Sequence, residues 1–155
     1  FDILKFNYDD HFLNDISNKY INLLPTKNKL FKGVKKMLKT LSSKYKLHII
    51  TNGFDEVQQK KINLSGLSKY FGEIITSERA GKKKPNPKIF EYALNLTHNS
   101  AENCLMIGDN FFADICGAKS VGMNTIHFNS NFEDYHDICP IIYSYKNIDE
   151  IINKL

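Results

Sequence analysis

From Leu47 onward the chain alternates short apolar runs with amphipathic stretches, and this alternation restricts the fold more than any other feature. The apolar runs are Leu47–Thr51, Glu73–Thr76, Cys104–Ile107 and Met123–Phe128, each of strand length and several bounded by turn residues such as Asn52-Gly53. Between them the pattern predicts three helices. One runs from near Asp55, a good N-cap, to about Gly66, a good C-cap. A second is capped by Asn86 with Pro87 in its first position and carries Ile89, Phe90, Ala93 and Leu94. A third covers about Phe112 to Val121. Strands that alternate with helices predict a parallel sheet covered by helices on both faces.

The segment before Leu47 reads as helical. Asp9 or Asp10 can cap a helix with Phe12, Leu13, Ile16, Tyr20 and Leu23 at roughly helical spacing, ending at Pro25. After a loop from Thr26 to Leu30, Val34, Leu38 and Leu41 share one face of a second helix, and Lys35, Lys36 and Lys39 share another. A looser tail holds Ile141-Ile142-Tyr143 and a last helix near Ile148 to Leu155.

A chain of 155 residues suits one domain with a real core. No apolar run approaches a membrane span, and no secretory signal opens the chain. The net charge of +4 comes mostly from scattered lysines, which points to a solvated surface and away from nucleic acid. The three cysteines, Cys104, Cys116 and Cys139, show no C-x-x-C spacing. Cys104, in a predicted strand, and Cys116, in a predicted helix, read as buried free thiols, as expected in a reducing cytoplasm. The chain begins with Phe1, which fits a chain starting partway through a longer protein.

Three signals carry chemistry. Gly108-Asp109 ends an apolar strand, and Asp114 follows within one turn of the next helix. Open α/β sheets place ligands at such strand ends. Mg²⁺ takes oxygen ligands, typically one or two carboxylates plus substrate phosphate. Asp109 is thus a candidate metal ligand, and Asp114 a candidate to ligate or to support that site. Each has a plainer reading, a turn residue for Asp109 and a first-turn acid for Asp114. Thr51 ends its strand and is followed by Asn52-Gly53 and a helix start, so a hydroxyl and several backbone N–H groups converge where an anion can sit. The plainer alternative is a threonine bonded to its own turn. Lys84 closes a lysine run whose other members, Lys82 and Lys83, read as solvated. Pro85 restricts the backbone of Lys84, so its ammonium is aimed by a stiff turn and can neutralise a phosphoryl group.

Thr51 in Ile-Ile-Thr-Asn-Gly, Lys84 in Lys-Pro-Asn-Pro-Lys-Ile-Phe, and Gly108-Asp109 with Asp114 resemble motifs two, three and four of the haloacid dehalogenase-like (HAD) hydrolases. Gly117-Ala118 and Val121-Gly122-Met123 also follow the family's wording. Leu23 to Lys27 and Asn52-Gly53-Phe54 are similar to its pyrimidine 5′-nucleotidase-like subgroup. The resemblance implies a Rossmann-like three-layer α/β core over residues 30–155, with residues 1–29 as the remaining part of a helical cap. It also implies a Mg²⁺-dependent phosphatase acting on a small phosphorylated metabolite such as a nucleotide, through an aspartyl phosphate. Thr51, with backbone groups at Asn52 and Gly53, would hold the phosphoryl oxygens. Lys84 would neutralise charge, Asp109 would bind Mg²⁺, and Asp114 would orient that shell.

The family's first motif, a strand ending in Asp-x-Asp-x-Thr that supplies the nucleophile, has no counterpart. Phe1-Asp2-Ile3-Leu4 has leucine where the second acid belongs, and Tyr8-Asp9-Asp10-His11 has adjacent acids. In the family that strand lies between the Leu47–Thr51 and Cys104–Ile107 strands. Without it the chain alone is expected to be unstable or inactive. A dehalogenase or phosphomutase of the same family, and a non-catalytic module binding a phosphorylated ligand or a partner, stay open as alternatives.

Overall fold

The computed structural model describes residues 8–155. The stretch Phe1-Asp2-Ile3-Leu4, compared above with the family's first motif, lies outside them.

Helix α1 spans Asp10–Leu23, with Asp9 as its N-cap accepting a 2.8 Å hydrogen bond from the Phe12 N–H. A short turn, Leu24–Thr26, buries Pro25 and ends the helical run. Helix α2 is Val34–Ser42, burying Leu38 and Leu41. The expected alternation follows: β1 Leu47–Thr51, α3 Asp55–Leu64, β2 Phe71–Thr76, α4 Ser77–Ala80, α5 Pro87–Thr97, β3 Leu105–Gly108, α6 Gly117–Lys119, β4 Asn124–Phe128, β5 Ile141–Ile142 and α7 Ile148–Ile152.

Every strand pairing is parallel; helices join β1 to β2 and β3 to β4, and the long connection 129–140 joins β4 to β5 without one. The strands form two groups, β1–β2 and β3–β4–β5, and among the described residues β1 and β3 do not pair with each other. Side-chain alternation splits the core into two layers. Ile50, Ile75 and Met106 pack with Ile89, Phe90 and Ala93 of α5 and Ala118 of α6. Leu47, Leu105, Ile107, Ile126 and Phe128 pack with Leu41 of α2 and Ile148 of α7. Helices therefore cover both faces, and one α5–α6 layer spans both strand groups.

Local details differ from the sequence reading. Asp55 is the first residue of α3 and Phe54 its cap position; the Asp55 carboxylate accepts instead from Thr76 Oγ1 at 3.0 Å. A partner on a neighbouring strand outcompeted local capping. Ser77–Ala80, outside the three helices expected between the strands, makes one helical turn because Thr76 Oγ1 accepts from the Arg79 N–H. The helix after β3 opens with a wide π turn, Phe111–Cys116, before α6. Such turns recur at functional sites.

Candidate active site at the carboxyl ends of β1 and β3

Thr51 ends β1, and its Oγ1 accepts from the Gly53 N–H at 3.2 Å. The plainer threonine turn is thus present, and it leaves the hydroxyl proton free to donate outward. The Gly53 N–H, however, is already engaged.

Lys84 reaches the same place from the β2–α5 connection. Its Nζ donates to the Ile50 carbonyl at 2.8 Å and to Asp114 Oδ1 at 2.5 Å. Asn52 fixes the Lys84 backbone with both ends of one amide side chain. Asn52 Oδ1 accepts from the Lys84 N–H at 2.7 Å, and Asn52 Nδ2 donates to the Lys84 carbonyl at 3.1 Å. The Lys84–Pro85 peptide is cis. A lysine held by its own backbone and by two acceptors at its tip has little freedom left.

Asp114 is 4% exposed and has both oxygens occupied. Oδ1 pairs with Lys84, and Oδ2 accepts from the Asn110 N–H at 3.1 Å. The side chain folds back over the end of β3, and a Cβ at Gly108 would fall inside it. Glycine is therefore required there by close approach.

Asp109 contrasts with it. It is exposed at the end of β3, and its carboxylate accepts no hydrogen bond and forms no ion pair among the described residues. Its charge reaches Tyr145, whose phenol is pushed up to about 12, first by burial and then by Asp109. Among the described residues no three His, Cys, Asp or Glu side chains gather into a metal-binding group.

Beside this centre a cleft of about 500 Å³ is lined by Tyr20 and Leu24 on one side and by Gly53, Phe54, Gln58 and Lys83 on the other. It reaches the Thr51 turn but not Asp109 or Asp114, so it is an approach to the centre and not the centre itself. Lys82 and Lys83, read as solvated from sequence, are exposed and line it.

The structure thus gathers Thr51, Asn52, Gly53, Lys84 and Asp114 into one network, with Asp109 alongside. The clamp by the Asn52 side chain was missed from sequence. Thirty-two residues separate it from Lys84, and no local signal links them.

Residues 2–128 match the family model of the haloacid dehalogenase-like hydrolases, and the chain belongs to that family. It is 31% identical over 142 residues to the HAD-hydrolase YfnB of Bacillus subtilis (strain 168), covering 90% of this chain and 60% of YfnB. It is 37% identical over 103 residues to the pyrimidine 5′-nucleotidase YjjG of Escherichia coli (strain K12), covering 66% of this chain and 46% of that one. Against the glyceraldehyde 3-phosphate phosphatase of Pyrococcus abyssi it is 44% identical over 84 residues, 54% of this chain and 35% of the relative. A crystal structure of YfnB bound to magnesium superposes with a TM-score of 0.81 at 31% identity, covering 88% of this chain and 61% of that chain. The chain spans 60% or less of the length of these three relatives. No helix among the described residues is long and apolar enough to cross a membrane.

Proposed function

We propose that the full-length protein is a Mg²⁺-dependent phosphatase of a small phosphomonoester, a nucleotide in the first instance, and that its aspartate nucleophile lies on a strand outside residues 1–155. The observation that carries this reading is the Lys84 ammonium, held between the Ile50 carbonyl and Asp114 where β1 and β3 end in Thr51 and Gly108-Asp109. A cation fixed in advance beside a hydroxyl donor stabilises charge developing on a transferring phosphoryl group without having to reorganise. The phosphatase and nucleotidase names of relatives support the substrate class.

Asp109 suits a hard cation in the kind and freedom of its oxygens. It supplies one carboxylate, and the second is assigned to the nucleophile strand. Bound Mg²⁺ would neutralise phosphoryl oxygens and align the ester for in-line attack. Asp114, with both oxygens occupied, is assigned to holding Lys84 in place of ligating the ion directly. The Thr51 hydroxyl donates to a phosphoryl oxygen. The external carboxylate forms the P–O bond of an acyl phosphate as the ester P–O bond breaks, and the leaving oxygen takes a proton from the second acid of that strand. Water then releases phosphate and restores the carboxylate. Among the described residues β1 and β3 are each an edge strand, which supports a strand placed between them. Each buried backbone group left unpaired costs about 1–3 kcal/mol, so residues 1–155 alone should be unstable. We assign residues 1–29 to the cap and 30–155 to the core, and we place the protein in the reducing cytoplasm on the strength of three free cysteines.

An Asp109 carboxylate unpaired among the described residues favours phosphate over a carbon–halogen substrate, which needs no metal-binding acid. The test is phosphate release from a panel of nucleotides and sugar phosphates by the full-length protein, with Mg²⁺ and with a chelator. Mg²⁺-dependent release is expected. Halide release from a 2-haloacid, or no turnover of any phosphomonoester, would overturn the reading.

A further inference from the structure

Residue 127 lies on β4 directly across from the end of β3: His127 is the register partner of Gly108. Its imidazole is fully buried, 0% exposed. Nε2 lies 3.3 Å from the Asp109 carbonyl oxygen and 4.0 Å from a Glu133 carboxylate oxygen. Both neighbours accept and neither donates, so Nε2 carries the proton in the neutral ring. Nδ1 then accepts from His136 Nε2 at 2.9 Å, with the two rings stacked at a centroid distance of 5.1 Å. Phe111 covers His136 at 4.3 Å. A buried, doubly engaged imidazole is held in one orientation.

The Asp109–Asn110 peptide is one planar unit. Its carbonyl faces His127 Nε2, and its N–H donates to Asp114 Oδ2 at 3.1 Å. Both polar atoms of that peptide are therefore gripped, one from β4 and one from the wide turn after β3. β3 ends at Gly108, so no strand ladder holds Asp109 in this way.

We propose that His127 is a positioning residue for Asp109: with Asp114 it clamps the Asp109–Asn110 peptide and so fixes the Asp109 carboxylate in place at the end of β3. This rests on Asp109 being the Mg²⁺ ligand. Groups that orient a ligand typically change metal affinity about 10–100-fold when lost. The pairing with His136 and the Asn129–Glu133 hydrogen bonds tie the clamp to residues 129–136, so the segment after β4 buttresses the turn after β3.

The test is Mg²⁺ affinity of the full-length protein by titration calorimetry, without substrate or turnover, alongside the thermal midpoint of each variant. His127→Leu keeps bulk and loses the donor; its Mg²⁺ affinity should fall about 10–100-fold. In His127→Gln the amide nitrogen can stand where Nε2 stood, and it should recover most of that loss. In His127→Asn the shorter amide cannot reach the Asp109 carbonyl, and it should not recover it. A purely structural role would make the losses follow the thermal midpoints and not the donor. His127→Leu binding Mg²⁺ like the wild type while Asp109→Asn does not bind would overturn the clamp alone. Asp109→Asn binding like the wild type would overturn the reading beneath it. Should His127→Leu not fold, equal affinities of the Gln and Asn variants would overturn the clamp.

Discussion

The turn after β3 has two sides that hold the same functional group in opposite conditions. On the Asp114 side the carboxylate is buried, each oxygen has a donor, and its partner Lys84 is held at its ammonium and along its backbone. On the Asp109 side the backbone is gripped but the carboxylate is exposed and unpaired among the described residues. The difference teaches a division of labour. A buried charge must be paired or it costs several kcal/mol, so Asp114 is bound into the structure. The Asp109 oxygens stay available, as the proposed role of ion ligand needs, and rigidity there comes through its peptide.

The comparison breaks most directly at Asp114. Asp114→Ala leaves the Lys84 ammonium buried without its anion, and breaking such a pair costs about 3–5 kcal/mol. Denaturant unfolding of the full-length protein should show it. Adding Lys84→Met should recover part of the loss, with a coupling of about 0.5–3 kcal/mol; strictly additive losses would mean the pair is not coupled.

Asn52→Ala tests the other grip on Lys84. Two hydrogen bonds disappear, each worth about 0.5–1.5 kcal/mol, and the lysine gains freedom. Stability should fall by about 1–3 kcal/mol, with a larger proportional loss of phosphate release than of Mg²⁺ affinity. Unchanged stability would show that the Asn52 clamp contributes nothing.

Asp109→Asn sharpens the contrast from the other side. Without Mg²⁺ its unfolding free energy should stay within about 0.5 kcal/mol of the wild type, as for an exposed position. Mg²⁺ should raise the unfolding midpoint of the wild type and leave that of Asp109→Asn unchanged. A large loss in the absence of metal would mean that the fold depends on Asp109 just as it does on Asp114.

The smallest expected effect lies away from the site, at His48. The Glu73 N–H donates to its Nδ1 at 3.1 Å, which requires that nitrogen unprotonated. Burial first, with Lys46 adding to it against the opposing pull of Glu73, holds its pKa below the ordinary 6.5. A depressed folded pKa means the unfolded chain binds the proton more readily. This contribution is therefore complete above pH 6.5 and is lost as pH falls through the folded value. His48→Gln should shed a small part of the decline in thermal midpoint on acidification; an unchanged pH profile would remove His48 from the account.

Much of the fold was legible because strand and helix periods are local. Every apolar run from Leu47 to Phe128 became a parallel strand, and Asn86 capped α5 with Pro87 in its first turn, as expected. Boundaries moved by a residue or two, as at β3, which begins at Leu105 and includes Gly108. The failures share one cause. Asp55 left its expected cap for Thr76, and Ser77–Ala80 gained a helical turn from the same threonine. Polar side chains choose partners in space, and a sequence window cannot see them.

The sequence by itself determined the α/β alternation, the family, and which residue types stand at the ends of β1 and β3. Hydrophobic periodicity and turn chemistry act within a few residues and leave a mark there. Only the tertiary structure decided which carboxylate is paired and which is free, that Asn52 holds Lys84, and that a histidine from β4 grips the peptide of Asp109. Those outcomes depend on hydrogen bonds between residues 18 to 32 positions apart, whose geometry exists only once the sheet and helices have packed.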